Sequence, residues 1–391
     1  MRNYTKERNV GNALTIQLLG SVDDMVSPED NIDLISGRDF IYLDVPYTGH
    51  ENIIEMHYPH TSSNKKSVAS NNSDSKTLER ANIFRGALAK TKDVLMQESI
   101  IPSDLPPEAQ RRNVTDVVFV IHGIRDEGYW THKVARRILL LARKQHIDGS
   151  IFATETSSYG YFPMLPFVLP TKRREKVEWL MDQYAESLAL YPNAEYSYVG
   201  HSNGTYLLAR ALLDYPVCRF KNVVLAGSVI RTNYDWSCVI SRGQVKNILN
   251  YVATADWVVA LFPRAIQMLR FQDLGSAGHD GFNPASLMPG VFQIEYVKGN
   301  HSAALDESNW DSIAEFVLTG NPQPLPPNIN SSKPSMIIKL AGWIAPLLWL
   351  GAIWGLSRIY TYIWDLHNSE WLRTFIAVLF SLMIWKIVTV L

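Results

Sequence analysis

The residues best suited to chemistry in this 391-residue chain are those at 200–204, which read Gly-His-Ser-Asn-Gly. A strand-like run, Glu195 to Val199, precedes them, and a helix-like segment, Thr205 to Leu213, follows them. A tight turn between a strand and a helix holds its serine in strained backbone geometry and needs glycine on both sides for close packing. The hydroxyl of Ser202 is therefore predicted to project at the carboxyl edge of a sheet, near the positive end of a helix.

A serine hydroxyl becomes a nucleophile only when a base takes its proton, and an acid must orient that base. Asp256 follows a strand-like run at 247–253, and His301 follows another at 291–297. Both side chains are therefore expected at the same edge of the sheet as Ser202. The three residues together are a candidate Ser-His-Asp triad.

Rival assignments stay open at this point. Asp235 follows the preceding predicted strand and could be the acid, in which case Asp256 would only cap the next helix, as aspartate does well. His279 is the rival base, although it follows a loop rather than a strand. His122 and His201 are predicted to be packed or hydrogen-bonded neighbours rather than bases.

The pentapeptide at a strand-to-helix switch, followed along the chain by Asp and then His, resembles the α/β-hydrolase family of serine hydrolases. The resemblance covers residues 116–320. It implies that Ser202 is the nucleophile, Asp256 the acid and His301 the base, with no metal and no organic cofactor. It also implies that the sheet is mostly parallel and doubly wound.

The resemblance further implies an oxyanion hole, because charge develops on the substrate oxygen when the serine attacks. One donor is expected to be the backbone N–H of Asn203. The other is expected in the loop after the strand at 116–121, which reads His122-Gly123-Ile124. The N–H of Ile124 is the first choice for that donor, and the N–H of Gly123 is the next.

Strand-like and helix-like runs alternate from residue 116 onward, as is typical of a parallel sheet covered by helices on both faces. The predicted strands are 116–121, 150–154, 195–199, 222–227, 247–253 and 291–297, and the main helices are 134–144, 174–190, 205–213 and 309–318. In an N-terminal extension (1–115), we predict strands at 14–19, 40–45 and 53–57, a mobile loop at 61–76 and a helix at 78–97. A proline-rich linker (321–335) is predicted to join the catalytic core (116–320) to a C-terminal region (336–391).

The C-terminal region contains a charge-free run, Leu340 to Leu356, and a second apolar run, Thr374 to Trp385, which continues after Lys386 as Ile387 to Leu391. About 17–20 apolar residues are needed to cross the hydrocarbon of a bilayer as a helix, so both runs are at the short end. Tyrosine and tryptophan, the residues typical of headgroup depth, occur in the loop between them. The pattern predicts a transmembrane hairpin of two helices, and the alternative is a pair of amphipathic or core helices.

Two apolar, aromatic segments are expected to line the substrate pocket. Tyr161 and Phe162 belong to the segment at 159–170, and Trp257 and Leu261 belong to the segment after the proposed acid. An apolar pocket on a membrane-anchored hydrolase favours a lipid ester as substrate. An amidase or thioesterase with the same triad, or an inactive membrane-anchored scaffold or effector, remains an alternative.

The composition limits the other function classes. A formal net charge of −1 gives no reason to expect nucleic acid as a partner. Two cysteines, Cys218 and Cys238, do not form a disulfide framework and fit a reducing compartment. No apolar segment follows the basic N-terminus, so we expect no secretory signal and a cytosolic catalytic domain. The oligomeric state stays open.

Overall fold

A six-stranded parallel sheet is the centre of the fold in the computed structural model, which describes residues 15–20, 40–45, 48, 70–98, 113–126, 128–145, 152–270, 272–324, 333–365 and 369–390. Its strands are β3 (Asp116–Ile121), β4 (Phe152–Glu155), β5 (Glu195–His201), β6 (Phe220–Ala226), β7 (Val245–Ala253) and β8 (Val291–Val297). Their order in the sheet is β4-β3-β5-β6-β7-β8, and every pairing is parallel. The predicted parallel α/β sheet is confirmed.

Alternate residues of β3 pack into two different cores, as expected for a strand buried on both faces. Phe119 belongs to a core that also contains Leu180 and Leu207, whereas Val120 belongs to a second core with Ile138 and Phe316. The helices that supply these residues are α3 (Tyr129–Lys144), α5 (Pro170–Leu190), α6 (Asn203–Asp214) and α11 (Trp310–Thr319). Helices therefore cover both faces of the sheet, which makes it doubly wound.

Short helices occur in the connections between the strands. They are α4 (Met164–Val168), α7 (Trp236–Ser241), α8 (Trp257–Leu261), α9 (Pro263–Leu269) and α10 (Ala277–Asp280), with 3₁₀ turns at Pro284–Ser286, Ala303–Leu305 and Glu307–Asn309. Parallel strands present their carboxyl ends at one edge, so the residues that directly follow the strands border the same space.

The N-terminal extension contains a separate parallel pair, β1 (Thr15–Gly20) and β2 (Phe40–Val45), with helices α1 (Ser70–Ala89) and α2 (Lys92–Glu98) against β2. The predicted strands at 14–19 and 40–45 are thus present, and the one at 53–57 lies outside the described residues. The predicted loop at 61–76 is wrong for residues 70–76, which are helical. No proline or glycine interrupts that segment, so the helix that packs through Ile83 extends toward its N-terminus.

The C-terminal region forms α12 (Met336–Trp343), α13 (Ala345–Asp365) and α14 (Glu370–Val390). The apolar run at 340–356 is broken at Ile344 because Pro346 lacks an N–H and is accommodated in the first turn of a helix rather than its interior. Within the described residues, no helix by itself combines the length and hydropathy of a membrane span. The pair Met336–Trp343 and Ala345–Tyr362 does so together, with a bend of 67°.

Candidate active site

Ser202 occupies the turn between β5 and α6 with φ +49° and ψ −117°, a backbone conformation that residues other than glycine rarely adopt. Its N–H donates to the carbonyl of Ala226 (2.9 Å) at the end of β6, which fixes the turn against the neighbouring strand. A β-carbon at Gly204 would lie 2.5 Å from the carbonyl oxygen of Ile121, so the pentapeptide requires glycine there. The sequence prediction of a strained serine at the carboxyl edge agrees with this backbone.

Asp256 and His301 form a direct pair. The Nδ1 of His301 donates to Oδ2 of Asp256 (2.9 Å), while Oδ1 of the same carboxylate accepts from the N–H of Val259 (2.9 Å). Asp256 therefore caps α8 and also holds the imidazole, so the two interpretations of this residue are compatible. With Nδ1 carrying the proton, the Nε2 lone pair of His301 is free to act as a base.

Electrostatics keep the Asp256 carboxylate ionised although it is fully buried. Burial by itself raises the pKa of Asp256, but the charge and hydrogen bond of His301 and the bond from Val259 outweigh it, so the net pKa is below the ordinary value. A buried negative charge next to an imidazole stabilises the imidazolium that forms when the base takes a proton. The side chain of His301 is 15% exposed, so water and small molecules have access to it.

The imidazole of His301 lies against the turn that carries the serine. A β-carbon at Gly227, directly after β6, would lie 2.7 Å from Cε1 of His301, and the preceding residue, Ala226, accepts the N–H of Ser202. The rings of His301 and His201 are 4.8 Å apart. Burial lowers the pKa of His201 to about 3, and the electrostatic interaction with His301 is the second cause. His201 is therefore a neutral packed residue, as the sequence predicts.

The loop after β3 lies directly on the serine. A β-carbon at Gly123 would be 2.7 Å from Cβ of Ser202 and 3.3 Å from its Oγ. Asn203, the first residue of α6, is fully buried. Within the described residues, the N–H groups of Gly123, Ile124 and Asn203 donate to no backbone acceptor. The three residues predicted to supply oxyanion donors therefore keep these N–H groups unpaired.

The rival residues have other environments. Asp235 is exposed and caps α7, and its hydrogen bonds with Ser237 and the N–H of Cys238 lower its pKa. His279 is buried in α10, with its Nε2 3.9 Å from Oδ1 of Asp280, and burial lowers its pKa. In the part of the chain that the structure describes, neither residue is hydrogen bonded to His301.

The four residues predicted to line the pocket divide into two pairs. Tyr161 and Trp257 are half exposed, at 50% and 49%. Phe162 is buried in the core, and Leu261 is partly buried and accepts a hydrogen bond from Trp349 of α13 through its carbonyl (2.9 Å). Only the first pair therefore presents open apolar surface.

Sequence reasoning missed one neighbour of the site. Tyr159, at the start of the segment interpreted as a pocket wall, is buried and hydrogen bonded to the loop at Gly123, 36 residues earlier in the chain. Nothing in the local sequence pattern identifies a contact of that range.

No family model matches the sequence, and no curated protein matches it. Among solved structures, the chain has limited similarity to LpqC, a poly(3-hydroxybutyrate) depolymerase from Bordetella parapertussis (14% identity over 54% of this chain and 81% of LpqC, TM-score 0.36). The chain has similarly limited structural similarity to TT1662 from Thermus thermophilus (12% identity over 52% of this chain and 88% of TT1662, TM-score 0.33). The parallel sheet and the turn at Ser202 agree with the α/β-hydrolase fold expected from the sequence.

Proposed function

We propose that the protein is a serine hydrolase that cleaves carboxylic esters. The observation that carries the proposal is the 2.9 Å hydrogen bond between His301 and the buried carboxylate of Asp256, beside a serine of positive φ. In the proposed reaction, Oγ of Ser202 attacks the acyl carbon while Nε2 of His301 takes the hydroxyl proton. The imidazolium then gives this proton to the leaving alcohol, and water attacks the acyl-enzyme by the same steps.

The oxyanion of each tetrahedral intermediate is assigned to the free N–H groups on both sides of the serine. Asn203 supplies one of them, and Ile124, with Gly123 beside it, supplies the other. Such donors are fixed before the substrate arrives, so they stabilise the developing charge without reorganisation.

Labelling with a fluorophosphonate, which phosphonylates activated serines, tests the proposal. The wild-type protein is expected to be labelled and to hydrolyse a soluble p-nitrophenyl ester, and Ser202→Ala is expected to lose both properties. Ser302→Ala is the matched control, because Ser302 is an exposed serine next to His301. Labelling that persists in Ser202→Ala would overturn the assignment, and folded wild-type protein that is never labelled would favour an inactive scaffold.

We also propose that the C-terminal helices attach the hydrolase to a membrane and that its substrates are lipid esters. Large apolar side chains are exposed along α12, α13 and α14, and such continuous surfaces mark interaction sites. They include Ile337, Leu347, Ile353, Trp354, Trp371 and Phe375. Helices α12 and α13 pack against α8, the helix that Asp256 caps, so a membrane bound to them would lie close to the catalytic edge.

Flotation of the full chain with zwitterionic phosphatidylcholine vesicles tests the attachment. Ile353→Arg, which places a charge on the exposed surface of α13, is expected to weaken flotation, whereas Leu188→Arg on the exposed surface of α5 is expected to leave it unchanged. Hydrolysis of a soluble ester is expected to be the same in both variants. Wild-type protein that does not float would contradict the attachment without affecting the hydrolase assignment.

A further inference from the structure

The hydroxyl of Tyr159 connects three groups that border Ser202. It donates to the carbonyl of Gly123 (2.7 Å), lies 3.0 Å from the carbonyl oxygen of His122, and accepts a hydrogen bond from Nδ2 of Asn203 (3.2 Å). The phenol ring is buried and stacks on the imidazole of His122, with 4.2 Å between the centroids. This one hydroxyl therefore contacts both segments that supply the proposed oxyanion donors.

The bond to Gly123 fixes the direction of the next N–H. In a trans peptide group the carbonyl and the N–H point in opposite directions, so a carbonyl held by Tyr159 turns the N–H of Ile124 away from Tyr159. The Nδ1 of His122 lies 2.8 Å from the same carbonyl oxygen. Two donors on one carbonyl also polarise the peptide group, which strengthens its N–H as a donor.

The protonation states of these side chains agree with such a role. Burial raises the pKa of Tyr159, so its hydroxyl keeps the proton it donates. Burial lowers the pKa of His122, so its ring is neutral, with Nδ1–H directed to the Gly123 carbonyl and Nε2 accepting from the hydroxyl of Ser158 (2.8 Å).

The bond to Asn203 connects the second donor to the first. The side-chain amide of Asn203 donates to Tyr159, while its backbone N–H is the proposed oxyanion donor at the start of α6. Catalytic donors lose effect when they are displaced by about an ångström, so their relative position needs fixing from outside the site.

The geometry points to Tyr159 as a positioning residue that fixes the two oxyanion donors relative to each other. This inference rests on the proposed hydrolase function. It assigns to Tyr159 no contact with the substrate, and its effect is expected on the transition state rather than on ester binding.

The test compares Tyr159→Phe with Tyr196→Phe in the full chain. Tyr196 is a matched control because its buried hydroxyl lies 3.0 Å from two backbone carbonyl oxygens, those of Ser187 and Tyr191, away from the site. We expect Tyr159→Phe to lower kcat about 10- to 100-fold with little change in KM, since direct loss of an oxyanion donor costs about 10²–10³. Tyr196→Phe is expected to keep kcat, although both variants lose thermal stability.

Two further measurements separate positioning from general damage. Rates are normalised to active sites counted by fluorophosphonate labelling, so a smaller folded fraction does not count as lost catalysis. A trifluoromethyl ketone, whose serine adduct carries the oxyanion, is expected to bind Tyr159→Phe more weakly by the same factor as kcat. Asn203→Ala, which keeps the backbone N–H, is expected to lower kcat less, and its effect is expected not to add to that of Tyr159→Phe.

If Tyr159→Phe keeps the kcat of the wild type, or loses no more than Tyr196→Phe, the inference is overturned while Ser202→Ala still tests the hydrolase function. Independent, additive losses for Tyr159→Phe and Asn203→Ala would also overturn it. If Ser202→Ala remains active, the proposed function, on which this inference rests, is itself refuted.

Discussion

Replacement of Asp256 by asparagine tests the proposed acid directly, because the two carboxylate oxygens have separate partners. Oδ1 accepts the N–H of Val259, and Oδ2 accepts Nδ1–H of His301. An asparagine can keep its carbonyl oxygen on the helix cap and place its NH₂ group at His301. The NH₂ group cannot accept Nδ1–H, so the imidazole changes tautomer and Nε2 carries the proton. A protonated Nε2 cannot take the proton of Ser202.

The expected loss in kcat is about 10⁴-fold, the size measured when the acid of a Ser-His-Asp triad is converted to its amide. At about 1.36 kcal/mol per tenfold, this corresponds to about 5.5 kcal/mol of transition-state stabilisation. The fold is expected to survive, because asparagine caps helices as well as aspartate does. Loss of one charge-assisted hydrogen bond is expected to lower the free energy of unfolding by about 1.5–3 kcal/mol.

The assay is initial-rate hydrolysis of a soluble p-nitrophenyl ester, together with urea unfolding of each variant. Asp235→Asn is the matched control, because Asp235 also caps a short helix, accepting the N–H of Cys238 (3.0 Å), and is the rival acid. We expect it to leave kcat unchanged. If Asp256→Asn retains more than about a tenth of the wild-type kcat, the tautomer argument is refuted, and a large loss in Asp235→Asn instead would move the acid to that residue.

Three other predictions follow from the described contacts. Gly123→Ala, whose β-carbon would lie 2.7 Å from Cβ of the proposed nucleophile, is expected to lower kcat about 100-fold or more, whereas Gly351→Ala, with open space around it, leaves ester hydrolysis unchanged. Burial holds the pKa of His201 at about 3, so between about pH 6.5 and pH 3 the unfolded chain binds a proton that the folded chain excludes. The free energy of unfolding therefore decreases as the pH falls through this window, by about 1.4 kcal/mol per pH unit. His201→Leu should remove this part of the slope in urea titrations at several pH values, and an unchanged slope would contradict the assignment. Arg173→Leu removes a buried guanidinium that donates hydrogen bonds to two backbone carbonyls, a side-chain amide and a carboxylate. The free energy of unfolding measured in urea is expected to fall by about 2–5 kcal/mol, whereas the control Arg174→Leu, at an exposed position, is expected to change it little.

The sheet could be predicted from the sequence because its strands are buried on both faces. The run at 116–121 is almost entirely apolar and mostly β-branched, and the observed β3 has the same bounds. Element ends are less accurate: the helix predicted at 134–144 begins at Tyr129, and the strand predicted to end at 154 continues to Glu155. Local residue preference defines the ends of an element less sharply than its interior, because helix ends fray.

The contacts of individual side chains were less predictable. The position of Asp256 after a strand could be predicted from the sequence. Its simultaneous role as helix cap and histidine partner depends on the path of the chain from β7 to β8. The aromatic segment that begins at Tyr159 has the composition of a pocket wall. Its hydroxyl instead contacts a loop 36 residues away, and a pairing of that range leaves no periodic signal in the sequence.

Helix α8 connects the proposed acid to the C-terminal helices. Its N-cap is Asp256, and its last residue, Leu261, accepts the indole N–H of Trp349 from α13. A β-carbon at Gly342 of α12 would lie 3.3 Å from the carbonyl oxygen of Ala260, so α12 approaches the same short helix closely. Because interiors this tightly packed transmit small displacements, a partner that moves α12 or α13 is expected to displace α8 as well. The carboxylate hydrogen bonded to His301 thus lies at one end of a five-residue helix whose other end contacts α13, part of the surface that we propose binds a membrane.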